Sequence, residues 1–318
     1  MTRDEGGIFV GVDSGQRPAR ALVVDGEGKP VGEGAGSTVS SAVELALAPS
    51  GAGIVDITSV GVAITQADER DRAAVSLLFP NAPVIVAERA KCALYGASGL
   101  GRGVWLDAEC GFAYARGTSG LEATAGGWGP VAGDEGSRRW LGLEGVRAVF
   151  RAHDGRTGDT ALHDLALKRF SASSVTALRD ALDEGADVSE FAADVSMAAA
   201  AGDKLAAALT NHAALHLANL ALAAARAVFE GDPEVAVFGS GYAFEDETVA
   251  GQLDGWLERL LPTALRHPAL ATPTVGALLL ACAAAGLEPE ELDWRALLAA
   301  DARLNEISST KGKSLHDA

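Results

Sequence analysis

The chain has 318 residues, 48% of them hydrophobic, which is enough to build two domains with cores of their own. Its formal net charge of −17 repels nucleic acids and anionic membrane surfaces, and this argues against both as partners. Three widely spaced cysteines argue against a disulfide framework or a zinc site. With a start that has no signal-peptide character, they favour a cytoplasmic protein.

The first part of the chain alternates strand and helix patterns. Strands are predicted at residues 8–13, 21–25, 30–34, 57–64 and 83–86, and helices at residues 41–48, 68–79 and 89–96. A hairpin is predicted from residues 104–107 and 112–115. After residue 137 the patterns are mostly helical, apart from a strand at residues 235–238. The long apolar helix near residues 203–229 contains Asn219 and Arg226, so we expect it to be buried rather than to span a membrane.

The most distinctive stretch is Gly126-Gly127-Trp128-Gly129, followed after three residues by Gly133-Asp134-Glu135-Gly136-Ser137. Glycines allow the backbone to approach a ligand closely, and the indole provides a flat apolar surface. Helical spacing begins directly afterwards, which predicts that Ser137 or Asp134 caps a helix. The pattern predicts a ligand-binding loop, and its alternative is a structural turn with a packing tryptophan.

This run resembles the signature of the N-acetylglucosamine kinase and BadF/BadG/BcrA/BcrD ATPase family, in the actin-like, ribonuclease-H-like ATPase superfamily. The resemblance also covers the order of segments from about residue 10 to residue 287. It implies an α/β fold of two actin-like domains with an interdomain cleft. Residues 1–115 and a C-terminal helix at about 290–305 would form one domain, and residues 116–289 the other. The resemblance further implies ATP and Mg²⁺ as cofactors, a sugar or amino sugar as small-molecule partner, and a homodimer.

The first phosphate element of the family corresponds to Asp13-Ser14-Gly15, where the acid helps to hold Mg²⁺ through water. The next residues, Gln16-Arg17-Pro18, depart from the family's Gly-Thr and basic residue, and a proline removes a backbone donor. A phosphate cradle and a plain hairpin turn are both open interpretations of this segment.

The second phosphate element reads Ala108-Glu109-Cys110-Gly111 where the family has Gly-Thr-Gly-Ser. Glu109 therefore stands at the threonine position, and Gly111 is the last residue of the element. A carboxylate close to phosphate oxygens is repelled by them, so we expect MgATP to bind poorly. The nucleoside end is closer to the family pattern, with Gly239 and Gly241 after a strand and Gly276 at the start of a later helix.

The family's catalytic base is the aspartate of an Asn-Asp pair that follows a strand. Here Glu88 stands at the asparagine position and Arg89 at the aspartate position. Arginine is not a base at neutral pH. Glu88 would serve only if the turn shifted by one residue, because neighbouring side chains point in different directions. The alternative is a solvated charge pair at the start of a helix.

For a sugar-like ligand the resemblance leaves one set of candidate contacts in the signature loop. These residues are Trp128, Gly129, Asp134, Glu135 and Ser137. His212 and His216, four residues apart on a helix, have the spacing of half a metal site, but no third ligand is near in sequence.

Three functions are consistent with this pattern. The first is a pseudokinase-like relative of the amino-sugar kinases that binds a sugar or acts as a regulatory subunit, because both phosphate elements and the base are altered together. The second is an active ATP-dependent N-acetylglucosamine or glucosamine kinase with Glu88 as base. The third is altered chemistry on a sugar-like substrate with Asp134, Glu135 or Glu109 as acid or base.

Overall fold

The computed structural model describes residues 6–15, 17–65, 69–229 and 234–316. Within these residues ten strands and twelve α-helices follow one another. The strands are β1 (Ile8–Asp13), β2 (Ala19–Asp25), β3 (Pro30–Gly36), β4 (Ile57–Ile64), β5 (Val84–Glu88), β6 (Gly103–Asp107), β7 (Phe112–Arg116), β8 (Glu122–Gly126), β9 (Val235–Ser240) and β10 (Ala264–Arg266). The helices are α1 (Val39–Leu47), α2 (Glu69–Ser76), α3 (Arg89–Ser98), α4 (Arg138–His153), α5 (Leu162–Arg169), α6 (Val175–Asp183), α7 (Ala192–Ala200), α8 (Lys204–Arg226), α9 (Tyr242–Glu245), α10 (Glu247–Leu260), α11 (Pro273–Ala284) and α12 (Trp294–His316).

These elements form two compact units. Unit 1 contains the chain up to Arg102 and from Pro268 onward, and unit 2 contains Gly103–His267. The predicted boundary at residue 115 differs from this division, because β6 and β7 pair with each other and β6 pairs with β9 in the sheet of unit 2. The predicted second domain also included residues 268–289, whereas α11 packs on β1, β4 and α3 of unit 1.

The two units repeat one strand arrangement. The sheet of unit 1 has the order β3-β2-β1-β4-β5, and the sheet of unit 2 has the order β8-β7-β6-β9-β10. In each sheet the first three strands in sequence are antiparallel neighbours, and the last two are added in parallel. Parallel connections require crossover helices, and both units supply them between the parallel strands.

The sheet of unit 1 is covered on both faces, as its nearly continuous apolar strands require. Val10 and Val12 point into a cluster with α1, whereas Phe9 on the opposite face packs with α11 and α12. Strand residues alternate between faces, so one run of four apolar residues serves two cores. In unit 2 the strands β6 and β7 pack against α4 and α8.

Strand β8 is a feature that the sequence pattern did not predict. Its five residues, Glu-Ala-Thr-Ala-Gly, are small or polar and none of them is fully buried. The antiparallel pairing with β7, from Arg116 opposite Glu122 to Phe112 opposite Gly126, makes the segment a strand. Across the described residues, no helix is long and apolar enough to cross a membrane. The alanine-rich helix α8 is instead packed in the core of unit 2.

Candidate functional site

The first candidate element lies at the carboxyl end of β1 in unit 1. The Asp13 side chain is 1% exposed, and its Oδ1 accepts a hydrogen bond from the Gly15 N–H at 3.0 Å. Ser14 holds the turn to β4, because its backbone N–H and its hydroxyl both donate to the Ala63 carbonyl. Asp13-Ser14-Gly15 therefore forms an ordered turn after a buried strand. Gln16, which was predicted to disturb this turn, lies outside the described residues.

The carboxylate of Asp13 is paired with the guanidinium of Arg89. Arg89 is the first residue of α3, and its Nε lies 3.2 Å from Oδ1 and 3.3 Å from Oδ2 of Asp13. Its side chain also runs beside Gly15, where an added Cβ would be 2.5 Å from the Arg89 Cδ. The residue at the family's base position is thus the counter-ion of the residue at the family's metal-binding position.

A second guanidinium lies close to the same carboxylate. Arg20 is opposite Asp13 in the register of β1 and β2, and it donates to the Asn305 side chain at 2.5 Å. Burial lowers the pKa of Arg20, Arg89 lowers it further, and Asp13 acts in the opposite direction. The Arg20 Nε is buried without a hydrogen-bond partner. Two cations beside one buried carboxylate disfavour a third, so Mg²⁺ does not fit this arrangement.

Glu88, the other candidate base, is exposed at the end of β5. It occupies the N-cap position of α3 with an extended backbone, and its side chain makes no capping hydrogen bond. Since Arg89 is turned to Asp13, the two neighbours do not form the solvated pair that was one sequence-based interpretation.

The second candidate element is the turn between β6 and β7 in unit 2. Asp107 ends β6 as Asp13 ends β1, and its Oδ1 accepts hydrogen bonds from the N–H groups of Glu109 and Cys110 at 2.9 and 3.2 Å. The turn is closed at Gly111, which has a φ of 61°. An added Cβ there would be 2.8–3.0 Å from backbone atoms of Asp134, so only glycine fits.

The carboxylate of Glu109 is held by donors from two other segments. Arg138, the first residue of α4, donates from Nε at 2.7 Å to Oε2 and from Nη2 at 2.9 Å to Oε1. The backbone N–H of Tyr242 donates to Oε1 at 2.9 Å. Arg138 also lies 5.8 Å from the centre of the Tyr242 ring. The side chain that was predicted to repel phosphate is therefore itself bound where three donors converge.

The signature loop is closed by its own aspartate. Asp134 has a φ of 58°, and its Oδ1 accepts a hydrogen bond from the Gly129 N–H at 3.0 Å. Burial raises the pKa of the Asp134 carboxyl, against the lowering effect of that hydrogen bond. Gly129 itself has a φ of 84° with open space beside it. Asp134 thus shapes the loop in addition to any role in binding a ligand.

Ser137 caps helix α4, one of the two alternatives from the sequence. Its hydroxyl accepts a hydrogen bond from the Trp140 N–H, and the residue is 1% exposed. The predicted contact of Ser137 with substrate is not supported, because its side chain is buried and engaged in the cap. The adjacent Gly136 carbonyl accepts a hydrogen bond from the Tyr242 hydroxyl at 2.7 Å.

Trp128 is the most conspicuous apolar side chain of the signature loop. It is 79% exposed, and Val131 nearby in the loop is 99% exposed. Glu135 is partly exposed on the same loop. An exposed indole on a backbone fixed by hydrogen bonds presents a flat apolar surface at which a ligand could stack.

The glycines predicted to contact a nucleoside lie in different units. Gly239 and Gly241 are in unit 2, where a Cβ on Gly241 would be 2.8 Å from Oε1 of Glu109, and one on Gly239 would be 2.1 Å from the Phe244 ring. Gly276 is buried in unit 1, and a Cβ there would be 1.7 Å from the Cys92 carbonyl oxygen. Close packing of α11 on α3 accounts for Gly276 without a nucleotide.

The predicted histidine pair is formed, with the rings of His212 and His216 5.6 Å apart between centres. His216 also packs edge-on against Trp140 at 5.2 Å. In the described part of the chain, no group of three or more metal-ligating side chains occurs. The pair is a packing feature beneath the signature loop, where an added Cβ on Gly136 would be 3.2 Å from the His216 Cβ.

Residues 10–281 match the model of the BadF/BadG/BcrA/BcrD ATPase family. The chain belongs to this family. Because the match covers most of the chain, the resemblance that rested on the signature loop is confirmed.

Solved structures with the same architecture include two candidate N-acetylglucosamine kinases. The protein from Chromobacterium violaceum has a TM-score of 0.67 at 24% identity, over 87% of this chain and 99% of its own. The protein from Porphyromonas gingivalis has a TM-score of 0.56 at 14% identity, over 85% of this chain and 97% of its own. A ROK family protein from Streptococcus pneumoniae, in complex with sucrose, has a TM-score of 0.52 at 13% identity, over 87% and 98%. These likenesses confirm the predicted α/β fold. No curated protein is a significant match to this chain.

Three residues of these elements were missed from the sequence. They are Arg20, Arg138 and Tyr242. Arg138 and Tyr242 lie 29 and 133 residues along the chain from Glu109, and no local pattern connects them. Arg20 is the neighbour of Asp13 in the β1–β2 hairpin, and its contact depends on the register of that pair. The one available signal was Arg138 directly after the signature Gly-Asp-Glu-Gly-Ser, since a cation at the N-terminus of a helix is electrostatically unfavourable unless it has a partner.

Proposed function

We propose that this chain is a sugar-kinase-like member of the ATPase family that binds a sugar or amino sugar and does not transfer phosphate from ATP. The observation that carries the proposal is the ion pair between Arg89 and the buried Asp13. The residue pair that the resemblance assigns to base and metal binding is here joined into one salt bridge.

The charge balance at Asp13 supports the loss of the metal. A carboxylate that is 1% exposed and already bonded to a guanidinium offers no free charge to a hydrated Mg²⁺ ion. If Mg²⁺ displaced Arg89 from Asp13, the Arg89 guanidinium would lose its partner. The metal ion would also have to share the Asp13 carboxylate with Arg20, which remains close. Phosphoryl transfer depends on positioning and on neutralisation of phosphate charge, so no step is derived through MgATP.

The proton-accepting side is altered as well. A general base must accept a proton from the attacking hydroxyl, and the guanidinium of Arg89 has no capacity to do so. Phosphate binding is altered in unit 2 as well, because the carboxylate of Glu109 is held by Arg138 and Tyr242 at the second phosphate element. The two departures from the family pattern, Arg89 and Glu109, therefore act in the same direction, against nucleotide binding and against catalysis.

The retained part of the pattern supports a sugar-like ligand without a phosphate group. Trp128 is exposed on a loop fixed by the Asp134–Gly129 hydrogen bond, and Glu135 is partly exposed beside it. Indole faces and carboxylates are suited to sugar rings and hydroxyl groups. N-Acetylglucosamine and glucosamine are the probes of choice, because the similar C. violaceum structure is that of a candidate N-acetylglucosamine kinase.

The test is isothermal titration calorimetry with MgATP and with each sugar, separately and together. We expect heat of binding with one of the sugars and none with MgATP at concentrations up to about 1 mM. The variant Glu109→Thr with Cys110→Gly restores the threonine and glycine of the family's second phosphate element, keeps Gly111 because only glycine fits there, and should bind nucleotide better than the unmodified chain. Micromolar binding of MgATP by the unmodified chain would contradict the proposal.

The proposal takes the protein to be cytoplasmic, in keeping with three cysteines that form no disulfide. It also takes the protein to be a homodimer. Size-exclusion chromatography with light scattering tests this, and a monomeric mass would remove that part of the proposal.

A further inference from the structure

The carboxylate of Glu109 lies in a set of donors of the kind that binds oxyanions. The guanidinium of Arg138 contributes Nε and Nη2, and the Tyr242 backbone contributes its N–H, all within 3.0 Å of a Glu109 oxygen. A planar guanidinium fork that binds two oxygens at once is the geometry of carboxylate and phosphate recognition.

The backbones of the two donor residues are fixed independently of Glu109. The Arg138 backbone N–H donates to the Ala108 carbonyl at 3.2 Å, which ties the start of α4 to the turn. Tyr242 is anchored by its hydroxyl, which donates to the Gly136 carbonyl, and the residue is 5% exposed. The donor set is therefore expected to persist when the Glu109 side chain is removed.

The occupant, in contrast, is only partly enclosed. The Glu109 side chain is 41% exposed, and it lies against Gly241, where the absence of a side chain leaves room for the carboxylate. A group that reaches a site from a surface turn is replaceable by an external group of the same charge and shape.

We propose that Arg138 and the Tyr242 N–H form an oxyanion-binding site that Glu109 fills with its own carboxylate, so that Glu109 excludes phosphate-bearing ligands from unit 2. This inference rests on the proposed function and names the residue that restricts the ligand to sugars without a phosphate group. The excluded class includes inorganic phosphate, sugar phosphates and the phosphates of nucleotides, which present the same oxygens to a guanidinium fork.

The test is the binding of inorganic phosphate to the 318-residue chain, measured by calorimetry or by ³¹P NMR. The unmodified chain should bind phosphate no better than the double variant Glu109→Ala/Arg138→Ala. The single variant Glu109→Ala should bind phosphate at least about tenfold more tightly than either, because it removes the occupant and keeps the donors.

The matched control is Glu144→Ala on α4, which removes the carboxylate that pairs with Arg147 and Arg151. At Glu109 a backbone N–H joins the guanidinium as a donor, and the Glu144 pairs are between side chains. It should leave phosphate binding unchanged. If Glu109→Ala fails to fold by circular dichroism, Glu109→Thr, which has the residue type of the family's second phosphate element, removes the carboxylate and should show the same gain.

Three results would overturn the inference. They are no gain in phosphate affinity when the Glu109 charge is removed, a gain that persists in the double variant without Arg138, and an equal gain in Glu144→Ala. Any of these results leaves the Arg89–Asp13 argument for the proposed function intact. Conversely, micromolar binding of MgATP by the unmodified chain would overturn the proposed function, while the comparison of Glu109→Ala with the double variant would still report on the donor set.

Discussion

The Nε atom of Arg89 lies 3.2 Å from Oδ1 of Asp13, and this contact joins the first residue of α3 to the last residue of β1. The carboxylate is 1% exposed and the guanidinium side chain 19% exposed, so the pair is largely shielded from solvent. Substitution of either residue alone therefore leaves a charge in an environment of low dielectric constant. A change that looks like the loss of a base in the sequence is a compensated electrostatic pair in the structure.

This pairing predicts a strong coupling between the two positions. Arg89→Met should lower the free energy of unfolding by about 3 kcal/mol, because it leaves the buried Asp13 carboxylate without its counter-ion. Asp13→Asn with Arg89→Met should cost much less than the sum of the two single variants. Urea unfolding of all four proteins measures the coupling, and additive costs would show that the pair is energetically independent.

Kinase activity should be absent or very slow in the unmodified chain. The loss of a general base costs about 100- to 10,000-fold in rate, and typical kinases turn over at about 1–100 per second. Arg89→Asp alone should not restore activity, since it places a second carboxylate beside Asp13 and leaves Glu109 in place. A coupled assay for ADP with N-acetylglucosamine measures this.

If the unmodified chain does turn over at an ordinary kinase rate, Glu88 becomes the base, because its exposed side chain makes no capping hydrogen bond. Glu88→Gln should then abolish turnover and keep sugar binding. An active Glu88→Gln variant would remove Glu88 from consideration.

Sugar binding should depend on Trp128 far more than stability does. The indole is 79% exposed, so Trp128→Ala removes little buried surface and should change the free energy of unfolding by no more than about 0.5 kcal/mol. The same variant should weaken N-acetylglucosamine or glucosamine binding at least about tenfold in calorimetry. Leu121→Ala, a 55% exposed apolar residue in the same unit, is the matched control and should bind like the unmodified chain.

Gly276 should tolerate no side chain. A Cβ there would be 1.7 Å from the Cys92 carbonyl oxygen and 2.7 Å from the Gly96 nitrogen, so Gly276→Ala forces α11 and α3 apart at a cost of about 3 kcal/mol or more. The control is Gly255→Ala in α10, where nothing lies within 4 Å of an added Cβ. Alanine there should raise the free energy of unfolding by about 0.8–1 kcal/mol. Thermal unfolding compares the two, and equal melting temperatures would contradict the packing role.

The stability of the fold should fall as the pH drops below about 7 because of His216. Burial lowers the pKa of this imidazole below its ordinary value of 6.5, and the nearby His212 lowers it further, although Glu135 acts in the opposite direction. Below pH 6.5 the unfolded chain therefore binds a proton that the folded chain resists, so acid favours unfolding. His216→Gln should flatten the part of the dependence that sets in as the pH falls through 6.5. An NMR titration that places the His216 pKa at or above 6.5 would contradict this.

The sequence allowed the family, the α/β fold and most strands and helices to be predicted, because apolar alternation and the signature loop are local patterns. Strand β8 was missed since its small residues carry no such pattern and its identity depends on pairing with Arg116 and its neighbours in β7. Gly276 was assigned to nucleotide binding because the sequence alone does not distinguish a glycine that contacts a ligand from one that contacts another helix. The partners of Asp13 and Glu109 were not predictable, since Arg89 and Arg138 come to them only through the folding of distant segments.

The attachment of Glu109 to the turn between β6 and β7 has a consequence for how the chain would respond to its surroundings. A tethered group acts at an effective concentration of about millimolar or above, and this concentration does not change with growth conditions. The concentration of free phosphate varies, whereas the effective concentration of the Glu109 carboxylate at the donors is constant because it belongs to the same chain. We therefore expect that binding of a sugar to this protein does not change with the concentrations of phosphate and nucleotides around it.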